Sequence, residues 1–161
     1  MTGTRWLSAD EQRAWRAYLE ATNLLFDLLD RQLQQDAGIP HGYYEILVRL
    51  SEAPERSMRM SQLADLTRSS RSRLSHAVAR LEERGWVERV DCPTDRRGQV
   101  AHLTDDGFTA LVDAAPGHVE TVHTHFVDPL TPEQITQLAQ IGAALIAGLE
   151  GTARGSADCV G

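Results

Sequence analysis

Apolar positions recur at helical spacing along most of the chain and switch to strict alternation in one short stretch. Over residues 8–36, Trp15, Tyr18, Leu19, Thr22, Leu25, Phe26, Leu29 and Leu33 form one broad face of a long helix. SADE at 8–11 reads as its capping box, and Gly38 and Pro40 end it. A second helix over 41–53 carries a Tyr43, Ile46, Leu47 and Leu50 stripe and stops at Pro54. A short helix over 61–67, with Ser61 as its expected cap, is followed by a polar break at 68–70. The next helix runs over 71–84, with Leu74, Ala77, Val78 and Leu81 spaced i, i+3, i+4, i+7, and Gly85 terminates it.

Residues 86–90 and 99–103 then alternate as half-buried strands around a turn-rich tip at 91–98, and residues 58–60 suit a third short strand. Thr104 caps a helix through Phe108, Leu111 and Val112, which is expected to kink or break at Pro116-Gly117 and resume at His118. TPEQ at 131–134 is a second capping box. The helix it opens carries Ile135, Leu138, Ile141, Leu145 and Leu149. Residues 151–161 are small and polar, the composition of a disordered tail.

This order predicts a mainly α fold. A winged helix-turn-helix lobe over 40–103, with a small β-hairpin wing, is flanked by helices over 8–36 and 104–149. In such a lobe the second helix enters the DNA major groove and its first turns meet base edges. Arg68, Ser70, Arg71, Ser72, Arg73, Ser75 and His76 stand at that helix start, and Arg96 and Arg97 at the wing tip. Arg71 or Arg73 suits a bidentate grip on guanine, and the short serines let the helix approach the duplex.

Taken alone, the net charge of −7 argues against nucleic acid, but its distribution reverses that reading. From 56 to 97 there are ten arginines against six acids, a local +4, which leaves −11 on the rest. Every Lys or Arg position is arginine, so the patch consists of planar forks suited to phosphate and guanine. The chain's 161 residues suffice for one domain with a real core. It shows no signal peptide and no membrane-length apolar run. Cys92 and Cys159 lack zinc-site spacing, so a cytoplasmic setting is expected.

Three linked motifs carry a family resemblance. LEERGWVER at 81–89, DRR at 95–97 and LTDDG at 103–107 resemble, in one register, the string shared by MarR-type (multiple antibiotic resistance regulator) winged-helix regulators. The resemblance covers about residues 8 to 149. It implies a homodimer built from residues of about 8–25 and 120–149, reading an inverted-repeat operator in double-stranded DNA. It further implies a wing in the minor groove and release by a small aromatic or carboxylate effector. Many family members have Thr and Arg where this chain has Ser75 and His76, which bears on base preference and not on docking.

The region matching the family's effector crevice holds Trp15, Arg16, Tyr18, His41, Tyr43 and Tyr44. As a ligand site, Trp15, Arg16, His41 and Tyr44 suit an aromatic acid, with Arg16 as anion anchor. On a plainer reading Trp15, Tyr18 and Tyr43 are core and Arg16 is a surface charge. His118, His123 and His125 invite a metal, but their spacing does not share one helical face, so no metal or cofactor is assigned. Cys92 beside Arg89 invites a redox switch. Two alternatives therefore stand beside a ligand-released repressor: a redox- or metal-responsive regulator of the same fold, and a protein of another class. The latter is a winged-helix protein-interaction module, or a small acid–base enzyme using His118, Glu120 or His123. No nucleophile elbow, phosphate loop or HExxH pattern supports catalysis.

Overall fold

The computed structural model describes residues 3–92 and 95–157, with side chains for residues 3–91 and 99–150. Helix α1 spans Ala9–Ala37. Ser8 caps it by accepting the Glu11 N–H while the Glu11 carboxylate accepts the Ser8 N–H at 2.7 Å. Gly38 closes it in the left-handed conformation, φ 65. Only the C-terminal end of its apolar face is buried, at Leu29 and Leu33. Trp15 and Tyr18 remain 53% and 50% exposed, so neither is a core residue of the single chain.

Helix α2 (His41–Ser51) follows, then a tight turn over Pro54–Arg56 and strand β1 (Ser57–Arg59). Helix α3 (Met60–Leu66) leaves the strand directly. Its cap is Arg59, without a side-chain capping bond, and not Ser61. The reason lies in the sheet: Arg59 is paired opposite Val100, so the chain turns into the helix as soon as that pairing ends. Helix α4 (Arg71–Glu83) then buries Leu74, Ala77, Val78 and Leu81, the stripe read from spacing. Gly85, φ 73, takes the left-handed step into β2 (Val87–Cys92), which turns back as β3 (Asp95–Leu103). The antiparallel sheet has the order β1-β3-β2, with Val87 opposite Leu103 and Val90 opposite Val100.

Helix α5 (Asp105–Val122) runs through Pro116 without the expected break. Proline removes one backbone donor, but the carbonyl left without it belongs to exposed Val112. At the next residue the helix lies against α1, where a Cβ on Gly117 would be 2.8 Å from Asp36 Oδ2.

The chain divides into two compact units, Met1–Thr121 and Val122–Gly161. In the first, one core joins Leu33, Ile39, Leu47, Leu50, Leu63, Leu74, Leu81, Leu103 and Leu111, so α1 and α5 share it with the winged lobe. The second holds a wide helical turn over His123–Val127, closed by the Asp128 N–H to the His123 carbonyl, and helix α6 (Pro132–Ala157). Thr131 and Gln134 cap α6 reciprocally. The α6 backbone continues past Leu149 to Ala157, where the composition suggested a disordered tail from Gly151. Residues 158–161 of that tail lie outside the described residues. Among the described residues no helix is long and apolar enough to cross a membrane.

Candidate nucleic-acid interface

The turn between α3 and α4 is fixed by its own hydrogen bonds. Thr67 Oγ1 donates to the Leu63 carbonyl at 2.8 Å and the Ser69 N–H to the Ala64 carbonyl at 3.0 Å. Arg68 stands between them at φ 51, left-handed and exposed. Ser70 is the N-cap of α4, and its hydroxyl oxygen accepts the Arg73 N–H at 3.2 Å. With the apolar stripe turned inward, Arg71, Ser72, Arg73 and His76 are left exposed on the first two turns. Arg71 and Arg73 make no salt bridge with another described residue. An uncommitted cationic helix start with its carbonyls turned away can meet phosphate or base edges.

Ser75 differs from its neighbours. It is half-buried, and its hydroxyl accepts from Arg89 Nη1 at 3.4 Å. Arg89 also salt-bridges Glu82 at 2.5 Å through Nη2, and its backbone N–H donates to the other Glu82 oxygen at 3.0 Å. Sequence reading counted Arg89 in the basic patch and missed this bracket. The available signal was that Ser75 and Glu82 lie two helical turns apart, on one flank of α4.

Other arginines of the patch are also engaged. Arg56 pairs with Asp105 and lies 4.0 Å over the Phe108 ring. Arg80 pairs with Glu83 at 2.7 Å, which raises its pKa. Arg84 donates to the Gly38 carbonyl and stacks on Trp86. Among the described side chains the positive surface is thus narrower than the charge count, and is centred on the α4 start. The side chains of Arg96, Arg97 and Cys92 lie outside the described residues.

The hairpin is locked to α5 by residues of the first and third motifs. Trp86 carbonyl accepts the Thr104 N–H at 3.1 Å, Thr104 Oγ1 donates to the Gly85 carbonyl at 2.7 Å, and Gly107 N–H donates to Thr104 Oγ1 at 3.0 Å. The glycine–tryptophan and threonine–glycine motifs are therefore two halves of one joint.

A second cluster forms where α1, α2 and α5 meet. His118 lies 4.6 Å from the Tyr44 ring and 5.7 Å from His41, which packs edge-on against Phe26 at 5.5 Å. Asp30 accepts the His41 backbone N–H at 2.8 Å. Burial raises the Tyr44 pKa; burial first, and His41 second, lower that of His118. His118 Nδ1 is buried without a partner among the described residues. Of the four expected ligand residues, His41 and Tyr44 meet here. Trp15 and Arg16 are exposed on α1, about 16 Å from Phe26 at about 1.5 Å per residue. Arg16 therefore does not reach the cluster as its anion anchor within one chain. Phe26 and Asp30 were missed because nothing in their spacing distinguishes them from other α1 residues. His118 joins aromatic rings, and the described residues contain no group of three metal-ligating side chains.

Comparison with known proteins agrees with this geometry. Residues 37–98 match the family model described as MarR family. The transcriptional repressor MprA of Escherichia coli (strain K12) is 30% identical over 113 residues, 70% of this chain and 64% of that protein. The match thus spans just under two thirds of MprA's length. Sco3205, a MarR family transcriptional regulator from Streptomyces coelicolor solved in complex with DNA, is 55% identical. It superposes with a TM-score of 0.88 over 92% of this chain and 93% of its own. AbsC, another MarR family regulator from Streptomyces coelicolor, is 44% identical, with a TM-score of 0.86 over 92% and 99%.

Proposed function

This chain belongs to the MarR family of transcriptional regulators, and from that premise we propose that it is a homodimeric repressor that binds an inverted-repeat operator and leaves it when a small ligand binds. Family membership sets aside the acid–base enzyme. The observation that carries the DNA reading is the start of α4: its stripe is buried while Arg71, Ser72, Arg73 and His76 face outward. Sco3205, with 55% identity, was solved in complex with DNA, which supports DNA as the partner. Ser70 contributes as the cap that orders the first turn, with Arg68, Arg96 and Arg97 as phosphate and groove contacts.

The homodimer reading rests on apolar residues that each unit leaves uncovered. In the first, Trp15, Tyr18 and Leu19 on α1 are exposed; in the second, Ile141, Leu145, Ile146 and Leu149 on α6. Helices of this kind need a partner face. A two-fold dimer sets two recognition helices about 34–36 Å apart on the duplex. The helices over 8–36 and 104–149 form that dimerisation region.

The ligand reading rests on the α1–α2–α5 cluster. His41, Tyr44 and the unpartnered His118 nitrogen offer hydrogen bonds beside aromatic surface, which suits a small aromatic ligand. Trp15 and Arg16 take part only if they come from the other subunit. Repressor release requires the ligand to bind the DNA-free form more tightly than the bound form.

Selection of duplexes from a random pool, followed by a small-molecule screen for release, tests the whole reading. An inverted repeat recovered by the protein, and displaced by an aromatic acid, is the expected result. Recovery of no duplex defeats the DNA reading. Displacement only by peroxide or a chelator replaces the ligand with a redox or metal signal.

A further inference from the structure

His118 brings to the α1–α2–α5 cluster a buried nitrogen, Nδ1, that has no hydrogen-bond partner among the described residues. Its ring stands 4.6 Å from the Tyr44 ring and 5.7 Å from that of His41, both on α2. On α1, Asp30 accepts the His41 backbone N–H, and Asp36, which accepts from the Gln32 amide, lies against Gly117 beside His118. On α5 itself, Glu120 is exposed two residues further on. Burial acts most strongly on His118 and the His41 imidazole next, and both keep it neutral at neutral pH.

A carboxylate brought into such a place changes the balance. It only accepts hydrogen bonds, so an imidazole nitrogen that meets it must carry a hydrogen. A neutral imidazole can present one through its tautomer, but the buried negative charge is then left uncompensated, which costs more than a missing hydrogen bond. An imidazolium in the same place supplies both the N–H and the opposite charge, so a neighbouring carboxylate favours the protonated ring that burial disfavoured. The His41 ring opposes a second positive charge, which sets the count at one proton.

We propose that an aromatic carboxylate enters this cluster together with one proton, which His118 holds as the ligand's counter-charge. The inference rests on the ligand reading of the cluster, and adds to it the charge state in which the ligand is held and the pH dependence that follows. The bound form carries a proton that the free form lacks, so affinity rises as pH falls. The rise spans the range from the bound value of His118 down to its free value, which lies below the ordinary 6.5. Below that range free His118 is protonated too, and affinity levels off. The ligand's own carboxyl, with an ordinary value of about 4, stays ionised throughout.

The test titrates the full-length protein with benzoate by isothermal calorimetry, in buffers of different ionisation enthalpy, which counts the protons taken up. About half a proton or more per site is expected at about pH 7, with affinity about threefold to tenfold higher at about pH 6.5 than at about pH 7.5. Benzyl alcohol, the same ring without the charge, should take up no proton. His118→Gln keeps a hydrogen-bonding side chain that cannot be charged, and should give no uptake and a flat pH profile. Imidazole NMR of the wild type needs no variant: one histidine should pass from the neutral to the cationic form as benzoate is added at about pH 7.

Benzoate that binds without proton uptake, and with every histidine unchanged, overturns this inference while the ligand reading stands. Uptake that survives in folded His118→Gln, or that benzyl alcohol produces equally, also overturns it. Benzoate that neither binds nor releases a selected operator at any pH overturns the ligand reading and this inference together.

Discussion

Replacing Gly107 by alanine tests the joint between wing and α5. The added Cβ would lie 2.1 Å from the Trp86 carbonyl oxygen and 2.8 Å from both the Trp86 carbonyl carbon and Leu103 Cδ1. Ordinary contact begins at 3.4 Å, so the helix start must retreat by more than an ångström from the carbonyl. The carbonyl cannot rotate away, because it accepts the Thr104 N–H at 3.1 Å, and Leu103 is fully buried. Retreat strains the Thr104 bonds to the Gly85 carbonyl and from the Gly107 N–H.

Overpacking of this kind costs about 1–3 kcal/mol. One or two weakened hydrogen bonds add about 1 kcal/mol each. Alanine's helix propensity returns about 1 kcal/mol. The net loss is about 1–4 kcal/mol, and at about 2–4 °C per kcal/mol the melting midpoint should fall by about 2–16 °C. Circular dichroism melts of Gly107→Ala measure it. Gly42→Ala, where nothing lies within 4 Å of the new Cβ, is the control and should hold or raise the midpoint. A Gly107→Ala protein that melts with or above the wild type refutes the reasoning.

Other outcomes follow from the same structure. Ser70→Ala removes the α4 cap and should cost about 1 kcal/mol in denaturant unfolding. Ser70→Asp should keep the cap but weaken operator binding severalfold, because it sets a negative charge at the proposed phosphate face. Burial holds the His118 pKa below its ordinary 6.5, so the unfolded chain takes up a proton that the folded chain refuses. That stability is full above about pH 6.5 and is lost as pH falls toward the lowered value. His118→Phe should flatten the melting midpoint between pH 7.5 and 5.5, and an unchanged slope would count against it. Ile141→Glu with Leu145→Glu should give a monomer in sedimentation velocity and weaken operator binding at least tenfold. A dimer that survives both charges places the interface elsewhere.

The elements most legible in the sequence were those set by local chemistry. The Ser8 capping box, the Gly38 and Gly85 stops and the α4 stripe each depend on residues a few positions apart. The α3 start was misread because strand pairing of Arg59 with Val100, a distant contact, decides it. At Pro116 the expected break does not occur, and α5 runs on to Val122. The proposed DNA surface was legible as a cluster but not as a geometry. Which arginines are spent on Glu82, Glu83, Asp105 or the Gly38 carbonyl depends on neighbours that the fold supplies. The cluster proposed to take a ligand was half legible, since His41 and Tyr44 share one helix whereas Phe26, Asp30 and His118 come from two others.

The central claim is that the start of α4 grips the double helix, and Arg71→Ala with Arg73→Ala tests it most directly. Anisotropy of a labelled duplex recovered by the wild type should show the double variant bound at least a hundredfold more weakly at low salt, on the order of 1–3 kcal/mol per lost arginine contact. Its melting midpoint should be unchanged, because both side chains are exposed. Undiminished binding by the folded variant would contradict the account.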